Sequence, residues 1–240
     1  MCEILTTLYF EKAHVDPAAP DDPDRDKVIL SKGHAAPMLY RILAERGFFP
    51  VEEMATLRQP GSRLQGHPHM GDVPGVEATA GPLGCGYAFA LGMMLADRMD
   101  RQTSYTYAVL GDGELDEGIV WETCLNASKQ KADHLIGILD WNGVQLDGPT
   151  DAIMPLGDLA AKFEAFGYAT RTVDGHDIAA LCDAIDWCKS VTGKPTMILA
   201  KTVKGKGVSF MEGKSEWHGK PIGDAEFQVA IAELEARLHD

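Results

Sequence analysis

A carboxylate set between glycines, Gly111-Asp112-Gly113-Glu114, follows the apolar run 105–110, and a second apolar run, 135–141, ends in Asp140-Trp141-Asn142-Gly143. Two buried strands that deliver one carboxylate and one carboxamide oxygen to the same sheet edge suit a hard, oxygen-preferring cation. Such a cation can bridge them to a phosphorylated cofactor at the carboxyl ends of the strands. The pattern therefore reads as a Mg²⁺-diphosphate clamp, and its spacing fits thiamine diphosphate. Taken alone, Asp112 reads better as a helix N-cap, since an Asp flanked by glycine turns satisfies orphan amide donors. The Asn142-Gly143 pair at the next strand end, with Glu117 and a helix start between, tips the reading towards the clamp.

Gly113 lets a phosphate approach the backbone with no side chain in the way, and the following helix N-terminus offers amide donors. Rival phosphate motifs fail. Gly213-Lys214-Ser215 has Val208 where a P-loop needs its first glycine, and Gly84-Cys85-Gly86 has Phe89 where a dinucleotide fingerprint needs its third. Three glycine- or tryptophan-flanked loops carry histidines: Ser31-Lys32-Gly33-His34, Gly66-His67-Pro68-His69 and Trp217-His218-Gly219. Each suits ligand contact or plain exposure equally. His67 and His69 as a zinc pair lack a partner cysteine or an H-E-x-x-H helix. The stretch Lys201-Thr202-Val203-Lys204-Gly205-Lys206-Gly207 is a solvated loop or a lysine reaching a diphosphate; the residues leave both open.

The elements that must position these groups alternate. A helical pattern over 1–10 and a proline- and aspartate-rich loop, 16–26, precede a short apolar stretch at 28–30 and a helix starting near Ala35. A long loop with many glycines and prolines, 61–86, leads into a helix over 87–99. Strands are expected at 105–110, 135–141, 168–173 and 196–203, with helices at 116–130, 157–166 and 177–190 between them and a last helix over 224–238. This predicts an α/β fold, a parallel sheet with helices on both faces whose strand ends gather the ligand groups. No repeat or interdomain linker interrupts it, so one domain over 1–240 is expected.

With 240 residues the chain can bury a full core. Its net charge of −14 disfavours nucleic acid and anionic membranes as partners. Five scattered cysteines without a C-x-x-C pair read as reduced thiols. The longest apolar run is too short to span a bilayer and no basic leader is visible, so a cytoplasmic protein is expected.

Across almost its whole length the chain resembles transketolases, in their N-terminal, diphosphate-binding part (the PP-type domain). The likeness rests on Arg25 through His34, Gly66-His67-Pro68, Pro74 through Glu77, Thr79 through Gly84, Gly111 through Gly118, Asn142, and Lys201 through Gly219. The resemblance implies that Asp112, Asn142 and the backbone carbonyl of Val144 hold Mg²⁺. It places His34, Lys204, His218 and Gly113 at the diphosphate, and Gly81, Pro82 and Leu83 along the cofactor ring. It sets His67 near the substrate hydroxyls, with His34 and His218 also close to the reacting centre. Glu117 resembles a glutamate buried at the subunit interface.

The implied reaction is transfer of a two-carbon ketol unit from a ketose to an aldose, the cofactor supplying the hard chemistry. The pyrimidine-binding and C-terminal domains of the family have no counterpart here. The chain is thus expected to be one subunit of a split transketolase, in a heterotetramer with a pyrimidine-binding partner and with self-association of the paired halves. The family's glycine-histidine segment ahead of the first helix also has no counterpart. Alternatives are a specialised sister enzyme, such as a sulfosugar transketolase or a deoxyxylulose-phosphate synthase, and a non-catalytic subunit. The Trp217-His218-Gly219 segment favours transketolase over the synthase.

Overall fold

A computed structural model describes residues 1–237. Five strands, β1 (Lys27–Leu30), β2 (Thr106–Gly111), β3 (Leu135–Trp141), β4 (Ala169–Asp174) and β5 (Thr196–Lys201), form one sheet in the order β1-β2-β3-β5-β4. Every pairing is parallel. The helices are α1 (Cys2–Thr7), α2 (Ala36–Arg46), α3 (Cys85–Met99), α4 (Gly118–Lys129), α5 (Thr150–Ile153), α6 (Leu159–Ala165), α7 (Ile178–Ser190) and α8 (Asp224–Ala236).

Successive strand side chains point to opposite faces, so a sheet covered on both sides needs apolar residues at every position. Tyr107, Val109, Ile136, Ile138 and Ile198 enter one core with Ile4 and Leu5 of α1, Leu39 and Leu43 of α2, and Leu181 and Ile185 of α7. Their neighbours Ala108, Leu110, Leu135, Leu139, Met197 and Leu199 enter a second core with Tyr87 and Leu91 of α3, Val120 and Cys124 of α4, and Phe163 of α6. The expected parallel sheet with helices on both faces is the one observed. Its outer strand β4 is the exception to burial, with Arg171, Thr172 and Asp174 exposed.

Several boundaries move, for local reasons. The first helix is α1 followed by a π-helical turn, Leu8–Lys12. A 3₁₀ turn, Gly33–Ala35, precedes α2, whose first turn accepts Pro37 because the amides there lack intrahelical partners. The helix expected from residue 116 starts later: a 3₁₀ turn, Gly113–Asp116, intervenes, and Glu117 takes an extended conformation. Strand β5 ends at Lys201 rather than 203, where its neighbours in register, Trp141 and Asp174, also end. Asp158 and Asp177 cap α6 and α7 by accepting from the amides of Ala161 (3.0 Å) and Ala180 (3.1 Å). The short α5 and the 3₁₀ turns Val51–Thr56 and Ser215–Trp217 are too brief to show a period. The expected end of the last helix, Leu238, lies outside the described residues.

One carboxylate fastens the strand ends that carry the site. Glu114, 2% exposed, accepts from the amides of Gly84 (2.7 Å) and Gly111 (3.1 Å) and from the Ser31 hydroxyl. It thereby joins the ends of β1 and β2 to the start of α3, where Gly84 sits at φ +80° against Ile119 and leaves no room for a side chain. Glu114→Ala strips three buried donors of their acceptor, and removing a buried acceptor costs about 1–3 kcal/mol for each group left unsatisfied. Urea denaturation should show a loss of at least about 2 kcal/mol, and a smaller loss for Glu114→Gln, which keeps an acceptor oxygen.

Candidate functional site

The carboxyl ends of β1, β2, β3 and β5 meet at one edge of the sheet. Beside it lies a cavity of about 520 Å³, whose lining includes Lys32, His34, Asn142, Lys204 and His218. Asp112, immediately after β2, is 2% exposed. Its Oδ1 accepts from the Gly113 amide (2.9 Å) and its Oδ2 from the Gly143 amide across the sheet (2.5 Å), with the Thr150 hydroxyl at 3.5 Å. Asp112 does cap the 3₁₀ turn Gly113–Asp116, as an Asp in that setting should, but the cross-sheet bond is something a cap does not need, and the N-cap of α4 is Glu117. Burial pushes the Asp112 carboxyl up, against the pull of the Gly143 amide and the Lys32 ammonium. A cation at this carboxylate would relieve that cost.

Asn142 Oδ1 accepts from the Val144 amide (3.0 Å), folding the post-β3 loop back towards the clamp. Val144 forms a bridge with Pro149 in which the hydrogen bonds run from Thr150 to Gly143 and from Gln145 to Gly148. The Val144 carbonyl takes part in neither. Asp112, Asn142 and this carbonyl are the all-oxygen donor set a hard cation favours. The Gly113 amide is already given to Asp112, and the space its missing side chain leaves is met by Gln145, whose Cγ stands 3.1 Å from where a Cβ would lie.

Cations and imidazoles line the cavity. Lys32 Nζ bonds Asp140, whose other oxygen accepts from the Thr202 hydroxyl (2.5 Å). Burial opposes the Asp140 charge, yet Lys32 and these bonds hold its carboxyl well below the usual range. Lys204 Nζ donates to His218 Nδ1 (3.2 Å), and His218 Nε2 lies 3.3 Å from His34 Nδ1. The chain of contacts assigns the tautomers: His218 carries its proton on Nε2 and passes it as a hydrogen bond to His34, whose own proton then sits on Nε2. Burial lowers the Lys204 ammonium, and Lys32 lowers it further. Burial, then Lys204 and His34, bring His218 down to about 4, and burial with His67 lowers His34. Groups whose positive charge is disfavoured for lack of an anion make a site for one.

The structure brings His34, His67 and His218 together, with ring centroids 5.5 Å from His34 to His67 and 5.0 Å from His34 to His218. Gly33 makes the first contact possible: a Cβ there would stand 2.9 Å from the His67 ring and 2.9 Å from Ala80. His69 Nδ1 lies 3.5 Å from Asp72, and His67 and His69 both line a second, smaller cavity, but among the described residues no group of three metal-ligating side chains forms. Gly81, Pro82 and Leu83 lead into α3, with Pro82 exposed and Leu83 partly buried. Glu117 is exposed in the single chain, its Cβ 3.4 Å from the place a Cβ on Gly84 would take. Sequence reasoning misses Lys32, Arg58, Asp140 and Thr202. Lys32 stands beside His34 in its glycine loop, and Asp140 closes a strand; Arg58 has no pattern to mark it, although its φ of +61° is unusual for a residue with a side chain.

The family model for the transketolase thiamine diphosphate-binding domain matches residues 1–236. The chain belongs to the transketolase family. A 6-deoxy-6-sulfo-D-fructose transketolase subunit from Clostridium sp. (strain MSTE9) is 43% identical, over 98% of this chain and 86% of the relative. An apulose-4-phosphate transketolase subunit from Actinobacillus succinogenes is 42% identical, over 97% of this chain and 84% of its own length. The solved transketolase of Campylobacter jejuni superposes with a TM-score of 0.90 at 32% identity, over 97% of this chain and 37% of that one. The chain thus spans most of two transketolases named as subunits and little more than a third of the Campylobacter protein.

The depressed His218 pKa has a consequence for stability. A histidine that titrates near 6.5 when unfolded and near 4 when folded binds more protons in the unfolded chain between those values. Its contribution to stability is complete above about pH 6.5 and is lost as the pH falls towards 4. Thermal melts from pH 7 to 4.5 should show His218→Gln losing less melting temperature on acidification than the parent.

Proposed function

We propose that this chain is the diphosphate-binding subunit of a split transketolase, a single PP-type domain. With thiamine diphosphate and Mg²⁺ it transfers a two-carbon ketol unit from an anionic ketose to an aldose. The observation that carries this reading is the pairing, at one sheet edge, of an all-oxygen donor set with a cavity in which Arg58 and Lys204, among the described residues, have no carboxylate within ion-pair distance. Asp112, Asn142 and the Val144 carbonyl would hold Mg²⁺. Lys204 and His218 would hold the diphosphate, with Gly113 beside it, and Gly81, Pro82 and Leu83 would line the cofactor ring. The chemistry supplied by the bound cofactor is an electron sink that lets a carbon–carbon bond of a ketose break and re-form on an aldose.

The residues of this chain orient and hydrogen-bond. Lys204 orients His218, His218 orients His34, and the outward Nε2–H of His34 is left to donate to a substrate oxygen. His67, packed on the same side, reaches the neighbouring hydroxyl. Arg58 lines the cavity and, among the described residues, has no carboxylate partner within ion-pair distance. The names of the two subunit-length relatives, a sulfonated and a phosphorylated sugar transketolase, support an anionic ketose as donor.

A partner chain completes the site, a reading supported by the two relatives matched over 86% and 84% of their own length, both named as transketolase subunits. The edge around Leu83, Asp112 and Glu117 is its docking surface. A heterotetramer follows, with Glu117 buried at the boundary. No helix among the described residues is long and apolar enough to cross a membrane, and five unpaired cysteines suit the proposed cytoplasmic location. The intact clamp speaks against a non-catalytic subunit.

Asp112→Ala and Asn142→Ala should each abolish Mg²⁺-dependent binding of thiamine diphosphate in calorimetric titrations of the partnered protein, with the chain still folded and melting cooperatively. Parental affinity in either variant would remove the clamp assignment. His67→Ala should lower kcat/KM for the ketose by about a hundredfold, the scale of a lost acid–base or hydrogen-bonding group, while the cofactor Kd hardly moves. The chain alone should turn over no ketose, and adding the pyrimidine-binding chain should restore activity. Robust transfer by the isolated chain, with contaminating partner excluded by mass spectrometry, would overturn the split-enzyme reading.

A further inference from the structure

Beyond Lys201 the chain leaves the sheet, and the Val203 amide has no strand to pair with. It donates instead to Nε2 of His176, 2.8 Å away, from the connection between β4 and α7. Because Nε2 accepts, the ring proton resides on Nδ1, which donates to Oε1 of Glu3 on α1 (2.7 Å). The His176 side chain is 9% exposed. Burial opposes the Glu3 charge, and the His176 bond nevertheless keeps that carboxyl below its usual range. The turn that carries the ring is docked in its own right, since the Gly175 amide donates to the Lys201 carbonyl (2.7 Å).

Val203 immediately precedes Lys204, whose ammonium must reach into the cavity to meet His218. Two other backbone bonds of this loop, Lys206 to Val203 (3.2 Å) and Gly213 to Lys204 (2.8 Å), join loop to loop. They set its shape and not its place on the sheet. Thr202 is held by the Trp141 carbonyl (3.0 Å) and by Asp140, and His176 is the next outside anchor, one residue before Lys204. We infer that His176 is a positioning residue for cofactor binding: its imidazole, clamped by Glu3, holds the Val203 amide and so fixes the backbone from which Lys204 reaches a diphosphate. This rests on the reading of Lys204 as a diphosphate ligand, and it adds a residue in the cavity wall whose two ring nitrogens are both engaged by the protein itself.

His176→Phe keeps a buried ring and deletes the acceptor, whereas His176→Gln offers an amide oxygen in place of Nε2. Both are titrated with thiamine diphosphate at fixed Mg²⁺ in the partnered enzyme. The Phe variant should bind about tenfold more weakly, the scale of one positioning hydrogen bond, and the Gln variant should recover most of the loss. At saturating cofactor the ketose KM of both should equal that of the parent, a split that general destabilisation would not produce. If the Phe variant fails to fold, Glu3→Ala, which frees the ring from α1, should weaken cofactor binding in the same direction. A folded Phe variant with parental Kd, an equal loss in Phe and Gln, or an unchanged Kd in Glu3→Ala would overturn the inference. A parent enzyme that bound no thiamine diphosphate would instead overturn the proposed function.

Discussion

The bond from the Gly143 amide to Asp112 Oδ2 joins two strand ends that lie side by side in space and 31 residues apart in the chain. It can form only because β2 and β3 run parallel in a register that sets Gly111 opposite Asp140, so both chains leave the sheet at the same level. Parallel pairing sends every strand end to one edge, and burial on both faces reserves the strands themselves for apolar groups. Polar chemistry is displaced to that edge. The carboxylate, the carboxamide and the histidine chain share one neighbourhood for this reason.

Charge is distributed against the average. The chain as a whole carries −14, yet Lys32, Arg58 and Lys204 all line one cavity. Lys32 is neutralised by Asp140, whereas Lys204 faces an imidazole that burial keeps neutral. An acidic exterior around a cationic recess discourages nonspecific polyanions over most of the surface and leaves a small anion one favourable address.

The sequence was most legible where burial was complete. The run 135–141 coincides with β3 because each of its faces meets a helix layer, and the helix–strand alternation that follows it survives with shifts of a residue or two. The turns from Gly33 to Ala35 and from Gly113 to Asp116 were not legible, being set by contacts such as Glu114 to Gly84 rather than by local pattern. Of the candidate site, the strand-end positions of Asp112 and Asn142 could be read from apolar runs and glycines, whereas nothing local distinguishes among the loop histidines and lysines. Lys32 with Asp140, 108 residues apart, and His176 with Glu3, 173 apart, acquire roles only when distant loops meet.

The sheet's margins bear on what the free chain can do before it meets anything. One rim is the four-residue β1, and the other is β4, whose exposed Arg171, Thr172 and Asp174 make it a poor template for another strand. Short or charged rims resist strand-to-strand growth. A newly made copy waiting for company is therefore guarded against fibril-like stacking along its hydrogen-bonding direction. Any association of the chain is thereby steered to helix faces and loops, where fit is specific and an ill-matched neighbour finds no backbone ladder to join.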